Sequence, residues 1–396
     1  MTQTRDVVFV SGVRTAIGSF GGSLKDVAPT KLGASVVREA VKRAGIEADE
    51  IGSCVLGHVV PTEPRDMYIS RVAAIEGGLP IKTPALTVNR LCGSGLQAIV
   101  TAAQQIMLGD VDAAVAGGAE SMSRGAYILP SERWGAKMGD TKALDMMVGA
   151  LTDPFGTGHM GITAENLSTK FQITREEQDA FALESQKRAV KAREAGYFKD
   201  QIMPFALETR KGTTMFEHDE YPRDDVSADA LRSLKPVFKK DGTVTAGNAS
   251  GINDGAAAVV LMDSKTAEKR GLKPMARLVG YGIAAVEPSE MGYGPVPAVQ
   301  SLLAKTGIKL ADIDIIESNE AFAAQALTVS KQLGFDPAKT NVNGGAIALG
   351  HPIGASGAII TVKALYELKR TNKRYGLITL CIGGGQGIAA LIENLN

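Results

Sequence analysis

The chain has 396 residues, of which 44% are hydrophobic and 22% are charged, a composition that suits a globular protein with a large core and about two to three domains. Its 43 Lys and Arg residues equal its 43 Asp and Glu residues, so no net charge favours nucleic acid or an anionic membrane surface as a partner. Three cysteines without Cys-x-x-Cys spacing argue against a disulfide framework and a structural zinc site, and favour a reducing, cytoplasmic setting.

Short runs rich in Val, Ile and Ala alternate with helical patterns along the chain, which predicts mixed sheets covered by helices. No run approaches the roughly 18 consecutive apolar residues that a membrane-spanning helix needs. The predicted strands are 7–13, 54–59, 85–88, 113–117, 257–262, 313–318 and 376–381, and the predicted helices are 31–44, 96–107, 176–194, 298–306 and 358–368.

An internal repeat relates the two ends of the chain. Segments 44–51 and 306–313 are similar and lie 262 residues apart. The same shift places 93–95 on 355–357, and each of these begins an apolar helical stretch. The repeat predicts two related α/β halves. The alternative is that two unrelated α/β units share the common residue patterns that begin and end helices and strands.

A region of different character separates the two halves, because it is richer in charge, methionine and aromatic residues. We therefore predict an N-terminal half at 1–120, an inserted loop domain at 121–246 and a C-terminal half at 247–396. Within the loop domain, 212–229 is polar and weakly periodic, which predicts an irregular excursion near a ligand mouth or a subunit contact.

Cys92 is the first candidate for catalysis. It stands between a predicted strand and the helix that begins near Ser94, where amide donors and the helix dipole favour a thiolate and lower the cysteine pKa. A buried small hydrophobe at a tight turn is the alternative for a lone cysteine. Cys54, inside an apolar run, lacks this setting and is predicted to belong to the core.

His351 and Cys381 are the second and third candidates. His351 lies in a glycine-rich loop before a helix and could take a thiol proton or donate to an oxyanion, although it could also bond only to the local backbone. Cys381 ends a predicted strand and enters Gly383-Gly384-Gly385, whose amides could stabilise an oxyanion or hold a phosphate.

Four segments together resemble the active-site motifs of the thiolase family, and the resemblance is nearest to its short-chain acetyl-CoA C-acetyltransferase and β-ketothiolase branch. They are Asn89-Arg90-Leu91-Cys92-Gly93-Ser94-Gly95, Asn319-Glu320-Ala321-Phe322-Ala323, Gly350-His351-Pro352-Ile353-Gly354 and Cys381-Ile382-Gly383-Gly384-Gly385. The resemblance spans the whole chain. It implies a five-layered α-β-α-β-α fold from two duplicated halves with an inserted loop domain, and a homotetramer held partly by that domain.

The resemblance also implies a role for each catalytic residue. Cys92 would be acylated after His351 takes its proton, and Cys381 would remove the α-proton of a second acetyl-CoA. His351 and a water held by Asn319 would donate hydrogen bonds to the enolate oxygen. The amides of Cys92 and Gly383 would donate to the acyl-enzyme oxyanion. No bound cofactor or metal is implied, because coenzyme A (CoA) is a substrate or product.

Matching family positions imply contacts to the acyl-CoA. The implied CoA contacts are Leu151, His159, Met160, Arg223, Phe238, Ala246, Gly247 and Ser250. The residues implied to line a short acyl pocket are Met160, Met291, Ala321 and Phe322. Loop-domain packing is the alternative role for His159 and Met160, and a solvated surface charge for Arg223.

Three other functions stay open on sequence alone. A decarboxylating ketosynthase uses one cysteine and two histidines, and a hydroxymethylglutaryl-type synthase uses a carboxylate base, so Cys381 argues against both. A non-enzymatic acyl-CoA or lipid-binding module would be expected to lack a catalytic residue, and none is missing here. Two thiols in one pocket also raise the hypothesis that Cys92 and Cys381 pair reversibly under oxidation.

Overall fold

The computed structural model describes residues 5–210 and 212–395, and a large mixed sheet covered by helices dominates it. The strands are β1 (Val7–Arg14), β2 (Gly18–Ser19), β3 (Ser53–Gly57), β4 (Ala85–Val88), β5 (Ala113–Ser121), β6 (Tyr127–Ile128), β7 (Leu144–Asp145), β8 (Thr152–Asp153), β9 (Gly158–His159), β10 (Phe205–Thr209), β11 (Gly212–Phe216), β12 (Asn253–Asp263), β13 (Ala276–Ala285), β14 (Ile315–Ser318), β15 (Tyr375–Ile382) and β16 (Gln386–Asn394). The helices are α1 (Pro29–Ala44), α2 (Ile69–Glu76), α3 (Ser94–Leu108), α4 (Met146–Ala150), α5 (Met160–Lys170), α6 (Arg175–Glu194), α7 (Ala228–Ser233), α8 (Ser264–Lys269), α9 (Pro295–Thr306), α10 (Ala323–Leu333), α11 (Ala346–Leu349) and α12 (Ile353–Thr371). Each predicted strand and helix is present, with ends shifted by a few residues.

Helices α1 and α9 begin and end on the same residue types. Pro29 and Pro295 occupy the first helical positions, where the missing N–H of proline costs nothing. Each helix is followed by a capping glycine in the left-handed region, Gly45 with φ of 67° and Gly307 with φ of 70°. The prolines explain why the predicted starts at 31 and 298 were too late.

The main sheet runs in the order β14-β15-β16-β13-β1-β12-β5-β3-β4, and β2 pairs with β12. Strands β1 and β13 meet in two residue pairs, Val8 with Arg277 and Phe9 with Ala276. This short junction divides the sheet into an N-terminal sheet (β1, β12, β5, β3, β4) and a C-terminal sheet (β13, β16, β15, β14). Each sheet combines antiparallel with parallel neighbours, as predicted.

Five layers follow from where the helices lie. Helices α3 and α12 contact each other and run between the two sheets, α1 and α2 cover the outer face of the N-terminal sheet, and α9 covers the C-terminal sheet. Glycines allow the central helices to approach closely. A Cβ on Gly357 would lie 2.3 Å from the backbone N of Leu96. The α-β-α-β-α order that the family resemblance implies is therefore confirmed.

The internal repeat is also present in the structure. The 262-residue shift relates β3 to β14, β5 to β15, α1 to α9 and α3 to α12. The structure corrects the predicted boundary at 247, however, because β12 lies between β1 and β5 in the N-terminal sheet. The apolar, fully buried β12 returns from the inserted region to complete that sheet, so the two sheets divide after Asp263.

The inserted region between β5 and β12 contains α4 to α7 and the two-stranded sheets β6–β7, β8–β9 and β10–β11. The prediction of an irregular excursion at 212–229 is wrong for its first residues, because β11 pairs with β10. Four of the five β11 residues are exposed, so no apolar alternation marks this strand in the sequence. The rest of the excursion runs without a strand to α7.

The segment Leu91–Leu108 is long and apolar enough by composition to cross a membrane, yet 56% of it is buried within the protein. Most of it is α3, which contacts α12 and the N-terminal sheet. This burial is typical of a core helix. We therefore describe α3 as part of the central layer.

Candidate active site

Cys92 lies in a tight turn between β4 and α3. Leu91 has a φ of 44°, in the left-handed region that residues other than glycine rarely adopt. Ser94 Oγ holds this turn, because it accepts a hydrogen bond from Arg90 N at 2.8 Å and donates to Leu91 O at 2.7 Å. Asn89 Oδ1 also accepts from Leu91 N at 3.0 Å. The turn places Cys92, a partly buried residue, at the start of the helix.

The surroundings of Cys92 keep its sulfur protonated. Burial raises the pKa of Cys92 to about 11, although hydrogen bonds from the amides of Gly383 and of Cys92 itself lower it, and the charge of Glu120 raises it. The prediction of a lowered pKa is therefore wrong, because the loss of hydration outweighs the amide donors. Those two amides are the ones that the family resemblance assigns to an oxyanion.

His351 is buried in the loop between α11 and α12. Its backbone N donates to Asn253 Oδ1 at 2.9 Å, and its ring Nδ1 lies 2.6 Å from Ser356 Oγ. Ser356 Oγ donates its own proton to Pro352 O at 2.9 Å. A hydroxyl has one proton, so Ser356 accepts from Nδ1–H of His351 and leaves Nε2 unprotonated. Burial lowers the pKa of His351 to about 4, which leaves the ring neutral near pH 7.

Cys381 lies near the end of β15, just before the turn into β16. The thiol is fully buried, and burial raises its pKa well above the usual range, with a further increase from nearby Cys92. Gly384 and Gly385 in the turn both have φ of 81°, a conformation that suits glycine. The turn therefore carries the amide of Gly383 to the Cys92 sulfur.

Asn319 follows β14, and its side chain faces the imidazole of His351. Its backbone N donates to Thr379 O at 2.9 Å on neighbouring β15, which fixes the start of this loop. Asn319 Nδ2 lies 3.5 Å from His351 Nε2, at the limit of a hydrogen bond. The two groups thus border one space, and both could contact the same small ligand atom.

The four predicted catalytic residues form two neighbouring pairs, and Cys92 packs against the buried cluster that contains Ile353, two residues after His351. Cys92 lies within electrostatic range of Cys381 and contacts the amide of Gly383, and Asn319 contacts His351. They come from the ends of β4, β14 and β15 and from the loop before α12. Two thiols, a neutral imidazole and two inward amides can support nucleophilic attack, proton transfer and oxyanion stabilisation.

A cavity of about 300 Å³ opens beside His351. It is lined by predicted acyl-CoA contacts, namely Leu151, His159, Phe238, Ala246, Ser250 and Phe322. The rings of His159 and Phe238 stack with centroids 4.6 Å apart, and Phe238 meets Phe322 edge-on at 6.0 Å. Burial lowers the pKa of His159, and its Nδ1 accepts from Gly161 N, so Nε2 carries the proton.

The remaining predicted contacts lie in two other places. Met160, Met291 and Ala321 belong to the same buried apolar cluster as Cys381 and do not line the cavity. Arg223 and Gly247 line a second cavity of about 160 Å³, which adjoins the first through shared walls at Tyr221 and Ala246. The Arg223 guanidinium lies 5.7 Å from the ring centroid of Tyr221.

Sequence reasoning missed several residues of the site. Ser356 and Asn253 hold His351, and Tyr221 walls both cavities. The sequence contained a signal for Ser356, because a hydroxyl near the start of a helix, five residues after a candidate histidine, can bond to that histidine. The sequence contained no signal for Asn253, because 98 residues separate it from His351. Other unpredicted lining residues are Met122, Val237, Thr245, Ala249, Gly251, Ile252 and Ile353.

Cys54 on β3 is buried, and burial raises its pKa to about 12, which confirms its predicted place in the core. Across residues 5–210 and 212–395, no group of three or more His, Cys, Asp or Glu side chains is arranged to hold a metal ion.

Two family models match most of the chain. The model described as "Thiolase, N-terminal domain" matches residues 7–265, and the model described as "Thiolase, C-terminal domain" matches residues 272–394. The boundary between the two models falls after β12, in agreement with the division of the sheet.

Individual proteins are similar over nearly the whole length. A β-ketothiolase BktB from Cupriavidus necator is 62% identical over 393 residues, 99% of this chain and 100% of that protein. The crystal structure of the acetyl-CoA acetyltransferase from Bacillus anthracis has a TM-score of 0.98 and 47% identity, and covers 100% of both chains. Human mitochondrial 3-ketoacyl-CoA thiolase in complex with CoA has a TM-score of 0.95 and 44% identity, covering 100% of this chain and 99% of that one.

Proposed function

The chain belongs to the thiolase family, and from this premise we propose that it catalyses the reversible Claisen condensation of two acetyl-CoA molecules to acetoacetyl-CoA and CoA. The observation that carries the proposal is the grouping of Cys92, Cys381 and the Gly383 amide, with Cys92 packed against the cluster that contains Ile353, two residues from the neutral His351. The same groups serve thiolysis in the reverse direction, so substrate concentrations set the direction.

The first half-reaction acylates Cys92. Its proton passes to Nε2 of His351, and the thiolate attacks the carbonyl carbon of acetyl-CoA. The oxyanion accepts hydrogen bonds from the amides of Cys92 and Gly383, and one such donor contributes about 2.7 to 4 kcal/mol. The C–S bond to CoA then breaks, and the departing sulfur takes the proton of Cys381.

The second half-reaction forms the carbon–carbon bond. The Cys381 thiolate removes the α-proton of a second acetyl-CoA, and its raised pKa makes it a strong base for this weak carbon acid. His351 and a water held by Asn319 stabilise the enolate oxygen. The enolate carbon attacks the acyl group, the bond to Cys92 breaks, and Cys92 recovers its proton from His351. The α-proton of the second acetyl-CoA thus replaces the proton that Cys381 gave to CoA, and Cys92, Cys381 and His351 all return to their starting protonation states.

The cavity beside His351 is the proposed channel for the pantetheine part of CoA. Its wall is largely apolar, with the stacked His159 and Phe238 on one side and Ser250 on another. The adjoining cavity at Arg223 offers a cation to the phosphate-bearing end of CoA. The CoA complex of the human mitochondrial relative supports CoA binding by this fold.

We propose that acetyl-sized and propionyl-sized acyl groups are preferred. Met160 and Met291 are buried in the same apolar cluster as Cys381, where they limit the space for a longer chain, and methionine adapts to a small change in ligand size. Acetoacetyl-CoA and 3-oxovaleryl-CoA should then be cleaved faster than a long-chain 3-oxoacyl-CoA. Equal or faster cleavage of the long-chain substrate would overturn this preference.

We propose a homotetramer in the cytoplasm. The inserted region exposes 81% of Trp134 and 97% of Met138, apolar surface that a second copy of the chain would cover. Both catalytic cysteines must stay reduced for turnover, which suits a reducing compartment. Light scattering after gel filtration should give four times the mass of one chain, and a monomeric mass would contradict the assembly.

The function is tested by acetoacetyl-CoA cleavage in the presence of CoA. The intact chain is compared with Cys92→Ser, His351→Ala and Cys381→Ser, and acylation is located by mass spectrometry. We expect thiolysis that all three substitutions cripple, with the acetyl group confined to Cys92. If the protein bound CoA but neither turned over nor became acylated, it would be a binding module on a thiolase scaffold.

A further inference from the structure

His58 and Glu120 form a buried pair beneath the active site, and no role assigned so far uses them. His58 follows β3 and is 4% exposed, and Glu120 on β5 is fully buried. Nδ1 of His58 lies 3.1 Å from Glu120 Oε1 and 2.9 Å from Ala119 O. The ring therefore directs a donor towards a carboxylate in a region without solvent.

Glu120 ties this pair to the loop that carries His351. Its Oε2 accepts from Gly354 N at 2.8 Å and from Val59 N at 3.1 Å, while Oε1 accepts from Val60 N at 3.1 Å. A Cβ on Gly354 would lie 2.4 Å from Glu120 Oε2 and 3.1 Å from the Cα of His58. Gly354 is in the first turn of α12, shortly after His351. The pair thus fixes the base of that loop.

The same pair lies close to the turn that carries Cys92. A Cβ on Gly57, next to His58, would lie 2.6 Å from the carbonyl carbon of Ser94, in the first turn of α3. The charge of Glu120 also reaches the Cys92 sulfur, where it adds to the effect of burial in raising the thiol pKa. An uncompensated Glu120 would therefore oppose every step that forms a Cys92 thiolate.

The contacts at Nδ1 raise the pKa of His58, while its Nε2 is buried without a hydrogen-bond partner in the described part of the chain. Burial disfavours the charge, but attraction to Glu120 and the hydrogen bonds to Glu120 and Ala119 outweigh it, so the pKa of His58 is raised. Asp66 adds to this attraction, and Asp254, which bonds to Ser123, faces Glu120 from β12. His351 is neutral and adds no charge.

On the basis of the proposed acyl-transfer function, we propose that His58 is a positioning residue whose cationic ring balances Glu120 and so allows the Cys92 thiol to ionise. The pair is a neutral unit that anchors the start of α12 after His351 and lies near the Cys92 turn without placing a net negative charge there. Its role is exerted through Glu120 and Cys92, since nothing places His58 against substrate.

The test measures how fast iodoacetamide alkylates Cys92 in the free enzyme at pH 8, with the site confirmed by peptide mass spectrometry. This readout does not require turnover, so it succeeds or fails independently of the thiolase reaction. His58→Asn keeps a short N–H donor near the Nδ1 position but removes the cation. Glu120→Gln is then added to remove the opposing charge. His218→Asn, at an exposed histidine, is the matched control.

We expect His58→Asn to slow alkylation about tenfold, which corresponds to a rise of about one unit in the Cys92 pKa. The double variant His58→Asn/Glu120→Gln should recover most of the rate, and His218→Asn should behave as the intact chain. An unchanged rate in folded His58→Asn would overturn the proposal. A double variant slowed as much as the single one would also overturn it, because a purely structural role predicts that result.

A second measurement covers the case in which His58→Asn does not fold. Histidine labelled with ¹⁵N in the intact chain reports the protonation of each ring, and His159→Asn, His218→Asn and His351→Asn assign the other three signals. We expect both ring nitrogens of His58 to carry protons at pH 7.5. A neutral ring at that pH would remove the proposed charge balance.

Discussion

At the residue scale, the nucleophile and its base are both uncharged in the free enzyme. Burial raises the pKa of Cys92 to about 11 and lowers the pKa of His351 to about 4. A thiol and an imidazole with these values do not exchange a proton before substrate arrives. Proton transfer must therefore accompany attack, when the amides of Cys92 and Gly383 stabilise the new oxyanion.

This arrangement predicts the pH dependence of Cys92 alkylation. Only the thiolate reacts, and its fraction grows about tenfold per pH unit below the pKa. The rate with iodoacetamide should therefore keep rising from pH 7 to pH 9, while buried Cys54 stays unmodified as an internal control. A rate that levels off near pH 7 would reveal a preformed thiolate–imidazolium pair and contradict the neutral pair.

Ser356 is expected to keep His351 in the tautomer that accepts a proton at Nε2. Ser356→Ala removes the acceptor for Nδ1–H, so we expect kcat to fall about 10- to 100-fold, less than the about 10²- to 10⁴-fold contributed by a general base itself. Steady-state thiolysis measures this loss. Ser356→Thr keeps the hydroxyl and should lose less.

Ser318→Ala is the matched control for this substitution, because Ser318 Oγ is buried but has no hydrogen-bond partner in the described part of the chain. It should retain kcat. Ser356→Ala with an unchanged kcat would show that the ring is held in its tautomer by other contacts.

The sequence indicated candidate catalytic residues, but it did not reveal their pKa values or the contacts that hold them. Cys92, His351 and Cys381 were candidates because glycines surround them in the sequence, and Asn319 was a candidate because its segment resembles a thiolase motif. The direction of the Cys92 pKa was wrong, because a sequence reveals a helix start but not how much water the fold removes. Supports such as Asn253 depend on tertiary contacts that local sequence does not encode.

At the element scale, a buried ion pair anchors the excursion that walls both cavities. Arg14 at the end of β1 is fully buried and bonds Asp219 through two contacts of 2.7 and 2.9 Å. Asp219 Oδ1 also accepts from Ile17 N at 2.8 Å. Tyr221 and Arg223 follow directly, so the pair sets their position.

Asp219→Asn should destabilise the protein by about 3–5 kcal/mol, because it leaves the Arg14 cation buried without its counter-charge. We also expect KM for acyl-CoA to rise more than kcat falls, since the displaced residues line the substrate cavities rather than touch the reacting atoms. Chemical denaturation and steady-state kinetics measure the two effects.

Asp229→Asn breaks an exposed pair with Arg232 in the same region and should change neither stability nor KM appreciably. If Asp219→Asn behaved like Asp229→Asn, the buried pair would have no anchoring role.

Helices and strands with strong apolar periodicity or distinctive ends could be predicted from the sequence. An exposed strand, and the half of the fold that a strand joins after a long insertion, could not. The central helices and the buried strands near Cys54 and Cys381 carry clear apolar patterns. β11 carries none because its side chains face solvent. β12 was recognised as a strand but assigned to the wrong half, because its partners β1 and β5 are more than 100 residues away.

At the scale of the whole molecule, the crossing of α3 and α12 joins the two halves at the point where both catalytic loops end. Each helix begins just after its catalytic loop, with Cys92 before α3 and His351 before α12. Near these starts the backbones of the two helices approach closely. A Cβ on Gly95 would lie 2.7 Å from Ala358 N, and one on Gly357 would lie 2.3 Å from Leu96 N. The separation of these helices therefore sets the distance between nucleophile and base.

Gly357→Ala should therefore reduce both stability and turnover. The added methyl group meets backbone rather than a flexible side chain, so the helices must separate, and overpacking of this kind costs about 1–3 kcal/mol or more. Because the helices carry Cys92 and His351, a shift of about 1 Å would lower kcat about 100-fold. Thermal unfolding and thiolysis kinetics on the same preparation measure the stability and the turnover.

Gly149→Ala, in α4 with open space around the new Cβ, is the matched control and should leave stability and turnover unchanged. A Gly357→Ala variant that loses stability but keeps full kcat would show that the catalytic loops are positioned independently of the helix crossing.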